Sequence, residues 1–164
     1  MHDFSILQSK MTILINNESA MERFGEHLAN RLRPGDAIEL IGDVGAGKTT
    51  LTRAIARGLG FGGEVQSPTF AISNRYQLPN DMMLLHYDFY RLTEPGIMQQ
   101  ELQESLADGR NIVIIEWGDI IRDIMPVNTI KIYLSSPTEQ SRELNIKTSD
   151  AMMARLESLD EDFS

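Results

Sequence analysis

The chain has 164 residues, a length typical of one domain, and 41% of them are hydrophobic, which is enough for a sizeable core. The net charge of −9 disfavours direct binding of DNA or RNA through a broad basic face, and the absence of cysteine excludes disulfides and thiolate chemistry. No secretory leader is evident, and the longest aliphatic run, 112–115, is too short to span a membrane. We therefore expect a single cytoplasmic domain over residues 1–164, with no membrane partner.

The first half of the chain alternates predicted helices and strands. Apolar residues recur at helical spacing after a capping-box pattern that begins at Ser19, and they predict a helix that ends before Pro34. A strand is predicted over 36–41 and a helix over 48–59, with a glycine-rich segment between them. Two further strands, 69–77 and 82–87, are predicted to form an antiparallel hairpin.

The second half continues this alternation. A helix is predicted from Thr93 to about Leu106, followed by a strand over 111–116 that is apolar enough to be buried on both faces. Residues 129–134 and 142–147 predict a second hairpin, 149–159 a short helix, and 160–164 an acidic, frayed end. The predicted fold is an α/β three-layer sandwich of the P-loop NTPase type, a mixed sheet with parallel core strands and added antiparallel hairpins.

The glycine-rich segment carries the clearest chemical signal. It matches G-x-x-x-x-G-K-[ST] in full and lies between a predicted strand and a predicted helix, as this motif requires. Its backbone N–H groups would cradle phosphate oxygens, Lys48 would reach the β- and γ-phosphates, and the Thr49 hydroxyl would bind Mg²⁺. The residues that this motif assigns to nucleotide binding are Gly42, Asp43, Val44, Gly45, Ala46, Gly47, Lys48 and Thr49.

A phosphate loop also needs an acidic residue at the end of a neighbouring strand. Glu116 ends the predicted buried strand, and Asp88 follows the second strand of the first hairpin. We assign Glu116 to the metal shell and Asp88 to water positioning or a second metal contact, with the reverse assignment left open. Trp117 is either core, a wall of this site or a partner contact, and His86 is expected to pack within its strand rather than to bind a metal.

Four motifs in this order resemble the TsaE family of small bacterial P-loop ATPases: GDVGAGKTTLTRAIARGLG, SPTF, HYDFYRL and IIEWGD. The resemblance covers about residues 15–150 and implies a preference for ATP. It extends the nucleotide loop to Thr50 and implies that Thr69 senses nucleotide or metal. It also aligns Asp88 and Glu116 with the family's two acidic positions, with Trp117 beside them.

The resemblance implies a role in tRNA modification. TsaE proteins take part in forming N6-threonylcarbamoyladenosine next to the anticodon, where TsaC makes threonylcarbamoyl-AMP and TsaD, paired with TsaB, transfers the group to tRNA. The expected function is a Mg²⁺-dependent ATPase, weak alone and stimulated by partners, that binds and resets the TsaB–TsaD complex. Contact with tRNA would be indirect, through that complex.

Two other functions stay open on the sequence. One is a nucleotide-dependent binding module in which hydrolysis is incidental. The other is a small-molecule kinase in which HYDFYR would bind the phosphoryl acceptor, although only two arginines fall within 119–150, where a basic lid would be expected. Arg53, Arg57 and Arg91 are the candidates for an arginine that stabilises the transition state.

Overall fold

A mixed sheet organises the protein in a computed structural model that describes residues 8–66, 73–90, 92, 94 and 96–163. The strands are β1 (Gln8–Ile15), β2 (Ala37–Ile41), β3 (Ser73–Gln77), β4 (Met83–Asp88), β5 (Asn111–Glu116), β6 (Ile130–Ser135) and β7 (Arg142–Ser149). The helices are α1 (Glu18–Ala29), α2 (Lys48–Gly58), α3 (Gly96–Ala107), α4 (Asp150–Leu156) and α5 (Ser158–Phe163), with a 3-10 segment at Gly118–Ile124.

The strand order is β1-β7-β6-β2-β5-β4-β3. The four central strands, β6, β2, β5 and β4, are parallel, whereas β3, β7 and β1 add antiparallel pairs at the two edges. Parallel strands end at a common edge of the sheet, so the carboxyl ends of β2, β4 and β5 meet there. The predicted mixed sheet with a parallel core and added hairpins is confirmed.

Two apolar clusters cover the two faces of the sheet. Along β5, Ile112 and Ile114 belong to the larger cluster, which includes residues of α1, α2, α4 and α5, whereas Val113 and Ile115 belong to the smaller one, beside α3 and the 3-10 segment. This alternation follows from the two-residue period of a strand. It makes β5 apolar on both faces and produces the three-layer arrangement that was predicted.

The N-terminal part differs from the prediction in two respects. Helix α1 is capped by Asn17, whose side-chain oxygen accepts from the backbone N–H of Ala20 at 2.8 Å, so the assignment of the cap to Ser19 was wrong. Residues 8–15, which carried no prediction, form the edge strand β1. They pair with β7 along their whole length and bury Ile13 and Ile15.

The acidic C-terminal end is helical rather than frayed in the part that the structure describes. The predicted single helix over 149–159 is two helices, α4 and α5, and the second reaches Phe163. Phe163 packs edge-on against Phe24 at 5.7 Å between ring centroids, and Asp162 accepts from Arg31 at 3.1 Å. Apolar contacts and a basic partner therefore hold a segment whose charge alone predicted solvation.

Some predictions lie outside the described residues. These are the SPT segment with Thr69, the beginning of the first hairpin before Ser73, Arg91, and Thr93 and Pro95 before α3. Of the helices that the structure does describe, none is long and apolar enough to cross a membrane.

Candidate functional site

The glycine-rich loop joins the end of β2 to the beginning of α2. The N-cap of α2 is Gly47, at φ 107°, a left-handed conformation that favours glycine. Because glycine has no side chain to occupy the first N–H groups of the helix, these groups are available to an anion. The local geometry is therefore that of a phosphate cradle.

A second glycine is required by close packing. A Cβ built on Gly42 would lie 2.7 Å from the carbonyl oxygen of Leu134 on β6, and real Cβ atoms essentially never approach so closely. The loop thus leaves β2 pressed against the backbone of the neighbouring strand. Only a residue without a side chain fits this path.

Lys48 is the first residue of α2, and it is 8% exposed. Its ammonium group donates to the carbonyl oxygen of Gly42 and, at 3.4 Å, to that of Asp43. The same nitrogen lies 4.7 Å from the ring centroid of Trp117, a cation–π distance. This places one positive charge, without a carboxylate partner within salt-bridge distance among the described residues, where phosphate oxygens would enter the cradle.

The two predicted carboxylates are brought together at the same edge of the sheet. Asp88 and Glu116 are paired in register as the last residues of β4 and β5. The Asp88 carboxylate accepts from the backbone N–H of Tyr90 at 3.0 Å, and Glu116 is 3% exposed. Both line the same cavity as Lys48 and Thr49. Adjacent parallel strands account for this meeting of residues that lie far apart in the chain.

Glu116 has a partner that sequence spacing did not reveal. The Nε2 atom of His86 lies 2.7 Å from Oε2 of Glu116, and neither side chain is more than 4% exposed. His86 packs within β4, as predicted, but it also binds the carboxylate. The two residues are 30 positions apart, so only the pairing of β4 with β5 joins them.

The cavity around these groups has a volume of about 590 Å³. Trp117 forms part of its wall, with 36% of its surface exposed and its ring 4.9 Å from that of Tyr90. Trp117 also has φ 58°, which is uncommon for a bulky residue. The cavity is lined by Asn17, Glu18, Met21, Val44, Gly45, Gly47, Lys48, Thr49, Thr50, Asp88, Tyr90, Glu116, Trp117, Glu139, Gln140 and Arg142.

Arg142, at the beginning of β7, ties the phosphate loop to the rest of the fold. Its guanidinium donates to the carbonyl oxygens of Ala46 at 3.0 Å and Gly45 at 3.4 Å, both in the loop. It also donates to Ser141 at 2.8 Å and Glu139 at 3.1 Å in the connection from β6. One side chain thus links two segments that are nearly a hundred residues apart.

Most of the residues predicted to bind nucleotide line the cavity. Gly42, Asp43 and Ala46 are in the same loop without lining it, and Ala46 is buried in the core. Arg53 and Arg57 line a separate groove, so neither reaches this cavity as a transition-state arginine. Three parts of the cavity lining were not predicted from the sequence: the N-terminal end of α1, the segment 139–142 and Tyr90. Only Tyr90 carried a local signal, its place in the HYDFYR motif.

Comparisons with known proteins point to one family. A family model described as threonylcarbamoyl adenosine biosynthesis protein TsaE matches residues 15–144. The tRNA threonylcarbamoyladenosine biosynthesis protein TsaE of Bacillus subtilis is 36% identical over 138 residues, which cover 80% of each protein. Its counterpart from Rickettsia felis is 33% identical over 140 residues, 85% of this chain and 81% of that protein.

A solved structure supports the fold independently of these alignments. The crystal structure of Bacillus subtilis YdiB is similar to this structure with a TM-score of 0.75 at 24% identity, covering 98% of this chain and 100% of that one. At this identity the likeness shows that the two chains share a fold. With the family match over residues 15–144, it leads to one assignment: the chain belongs to the TsaE family of threonylcarbamoyl adenosine biosynthesis proteins.

Proposed function

We propose that the protein is a Mg²⁺-dependent ATPase that acts in the threonylcarbamoyladenosine modification of tRNA. The observation that carries the proposal is the convergence of Lys48, the N-terminal end of α2 and two carboxylates in one cavity. A positive cradle that faces carboxylates is what phosphoryl transfer requires, since the chemistry depends on positioning and on stabilisation of the phosphate charge. The preference for ATP rests on family membership.

The donor set fits Mg²⁺. Thr49 supplies a hydroxyl oxygen and Asp88 and Glu116 supply carboxylate oxygens, the hard ligands that this ion prefers. Within the described ranges no group of three or more histidine and acidic side chains converges as a metal cage. A nucleotide site does not need such a cage, because phosphates and water complete the shell around one or two carboxylates. When bound, Mg²⁺ would neutralise charge on the β- and γ-phosphates.

The residues of the chain have separable roles in hydrolysis. The loop N–H groups and Lys48 would hold the β- and γ-phosphates and stabilise the charge that grows as the bond from the γ-phosphorus to its bridging oxygen breaks. One carboxylate would orient the water whose oxygen forms the new bond to phosphorus. We assign that role to Asp88 and the metal shell to Glu116, and the exchange of these two roles is the competing assignment.

Turnover by the protein alone is expected to be slow. Arg142 is the arginine that lines the cavity among the described residues, and its guanidinium is engaged with backbone carbonyls rather than free to meet a γ-phosphate. Stimulation would then come from partners, which family membership suggests are TsaB and TsaD. The net charge of −9 favours contact with tRNA through that complex rather than directly.

The first test is phosphate release from MgATP by the purified protein, alone and with TsaB and TsaD. We expect slow release alone and marked stimulation by the pair. Lys48→Ala is expected to abolish both release and tRNA modification, because it removes the charge at the centre of the cradle. Lys10→Ala, an exposed lysine on β1, is the matched control and should behave as wild type.

Each contrary outcome removes a different part of the proposal. No phosphate release under any condition would refute the ATPase. Equal rates with and without TsaB and TsaD would refute gating by these partners. Full tRNA modification by a Glu116→Gln variant that binds ATP without hydrolysing it would instead favour the binding module in which hydrolysis is incidental.

A further inference from the structure

The buried pair of His86 and Glu116 has no role in the function proposed so far. His86 is fully buried on β4, and Glu116 is 3% exposed at the end of β5. A side-chain contact of 2.7 Å between two such groups is a strong, desolvated hydrogen bond rather than a surface ion pair. Because Glu116 lines the cavity and His86 contacts its carboxylate, this hydrogen bond restricts the orientation of that carboxylate.

The direction of the hydrogen bond follows from the rest of the imidazole. Nδ1 of His86 is the buried side-chain nitrogen that has no hydrogen-bond partner among the described residues. A hydrogen atom on Nδ1 would therefore be buried without an acceptor, which is costly, whereas an Nε2–H can donate to the carboxylate. Hence Nε2 is the donor and Oε2 of Glu116 the acceptor, and Oε1 is the carboxylate oxygen that His86 does not engage.

The register of β4 and β5 explains why His86 contacts Glu116. His86 and Asp88 are two residues apart on β4, so their side chains leave the same face of the sheet. Asp88 pairs in register with Glu116, and His86 pairs with Ile114, two residues earlier on each strand and further from the cavity edge of the sheet. One strand therefore supplies a carboxylate to the cavity and, behind it, the donor that holds the neighbouring carboxylate.

We propose that His86 is a positioning residue, which fixes the orientation of the Glu116 carboxylate for ATP hydrolysis. A glutamate side chain has several rotatable bonds, and catalysis depends on its oxygen being held in one place before the reaction. The hydrogen bond from His86 immobilises Glu116 without contacting the nucleotide. This inference rests on the proposed ATPase function, and it predicts a loss in kcat rather than in nucleotide affinity.

The experiment compares His86→Gln with His86→Asn and His86→Leu in phosphate release with TsaB and TsaD. Gln carries an amide N–H at about the reach of Nε2, Asn is one methylene shorter, and Leu has no donor. Loss of an outer hydrogen-bond partner typically costs about 10- to 100-fold in activity, which we expect for Leu and Asn, with Gln restoring most of the rate. The dissociation constant for ATP, measured by calorimetry, should change by less than about twofold in each variant.

A double-mutant cycle separates positioning from general structural damage. Because His86 is inferred to act through Glu116, His86→Leu should reduce kcat no further in a Glu116→Asp background, where a carboxylate is kept but is one methylene too short for the contact with His86. Purely structural damage would reduce it in both backgrounds and would lower the thermal unfolding midpoint in parallel. His27→Leu, the loss of an imidazole at a partly exposed site bound to Asp162, is the matched control and should leave kcat unchanged.

The outcomes distinguish this inference from the function on which it rests. No phosphate release by wild type would refute the ATPase itself. Release by wild type together with an unaltered kcat in His86→Leu would overturn the positioning role and leave the ATPase intact. If the Leu variant does not fold, equal kcat values for the folded Gln and Asn variants would overturn it in the same way.

Discussion

Arg142 is predicted to control nucleotide affinity by holding the phosphate loop in its binding conformation. Its two bonds to the loop, at 3.0 Å to Ala46 and 3.4 Å to Gly45, orient the backbone that would cradle phosphate. A hydrogen bond from a charged donor contributes about 1.5–3 kcal/mol, and partial exposure places this one at the lower end. Arg142→Ala should therefore cost about 1.5 kcal/mol of binding free energy, or about a tenfold rise in the dissociation constant.

The assay is calorimetric titration with MgATP, with the thermal unfolding midpoint measured in parallel. Arg142→Lys keeps the charge but not the planar fork that reaches several carbonyls at once, so we expect it to lose most of the same affinity. Arg110→Ala is the matched control, because Arg110 is exposed beside Asp108 and lies in the turn before β5, at the opposite edge of the sheet.

A folded Arg142→Ala variant that binds MgATP as tightly as wild type would refute this reasoning, because the loop would then hold its shape without the guanidinium. Full affinity in Arg142→Lys alone would point instead to a direct charge contact with the nucleotide.

Three further predictions follow from single contacts or groups. Gly42→Ala should destabilise the fold by about 1–3 kcal/mol in urea unfolding, since its Cβ would meet a backbone carbonyl of β6 at 2.7 Å, and Gly109→Ala, with open space around it, should not. Burial raises the pKa of Glu39 above its ordinary value of 4.5. The folded protein therefore holds this proton more tightly than the unfolded chain does, so the stabilisation is complete below pH 4.5 and is lost as the pH rises through the folded-state pKa. Glu39→Gln should accordingly be more stable than wild type at pH 7 and equal to it at pH 4 in thermal unfolding, and equal stability at both values would contradict the burial cost. MgATP should change the fluorescence of Trp117, because the Lys48 ammonium now lies 4.7 Å from its ring, and MgGTP should do so less; an unchanged emission with MgATP would contradict this.

The sequence by itself predicted the features that depend on neighbours in the chain. The glycines of the phosphate loop occur where the backbone adopts a path that residues with side chains cannot follow. The motif therefore predicted both the loop and phosphate binding by it. The apolar run of β5 likewise predicted burial on both faces, and Glu116 at the end of that run predicted a carboxylate at the edge of the sheet. The edge strand β1 was not predicted, because apolar Leu14 interrupts the alternation of Met11, Ile13 and Ile15 with polar residues, although Leu14 is 59% exposed in the structure.

The tertiary structure alone decided the contacts that complete the site. His86 meets Glu116 across 30 residues, and Arg142 meets Ala46 across 96, because β4 and β5 are neighbours and β7 lies beyond β6. The order of strands in a sheet is set by the packing of the whole chain, so no local pattern specifies which side chains face one another across it. The acidic end shows the same principle, since its helix contacts Phe24 of α1 and Arg31 just beyond α1, both more than a hundred residues away in the chain.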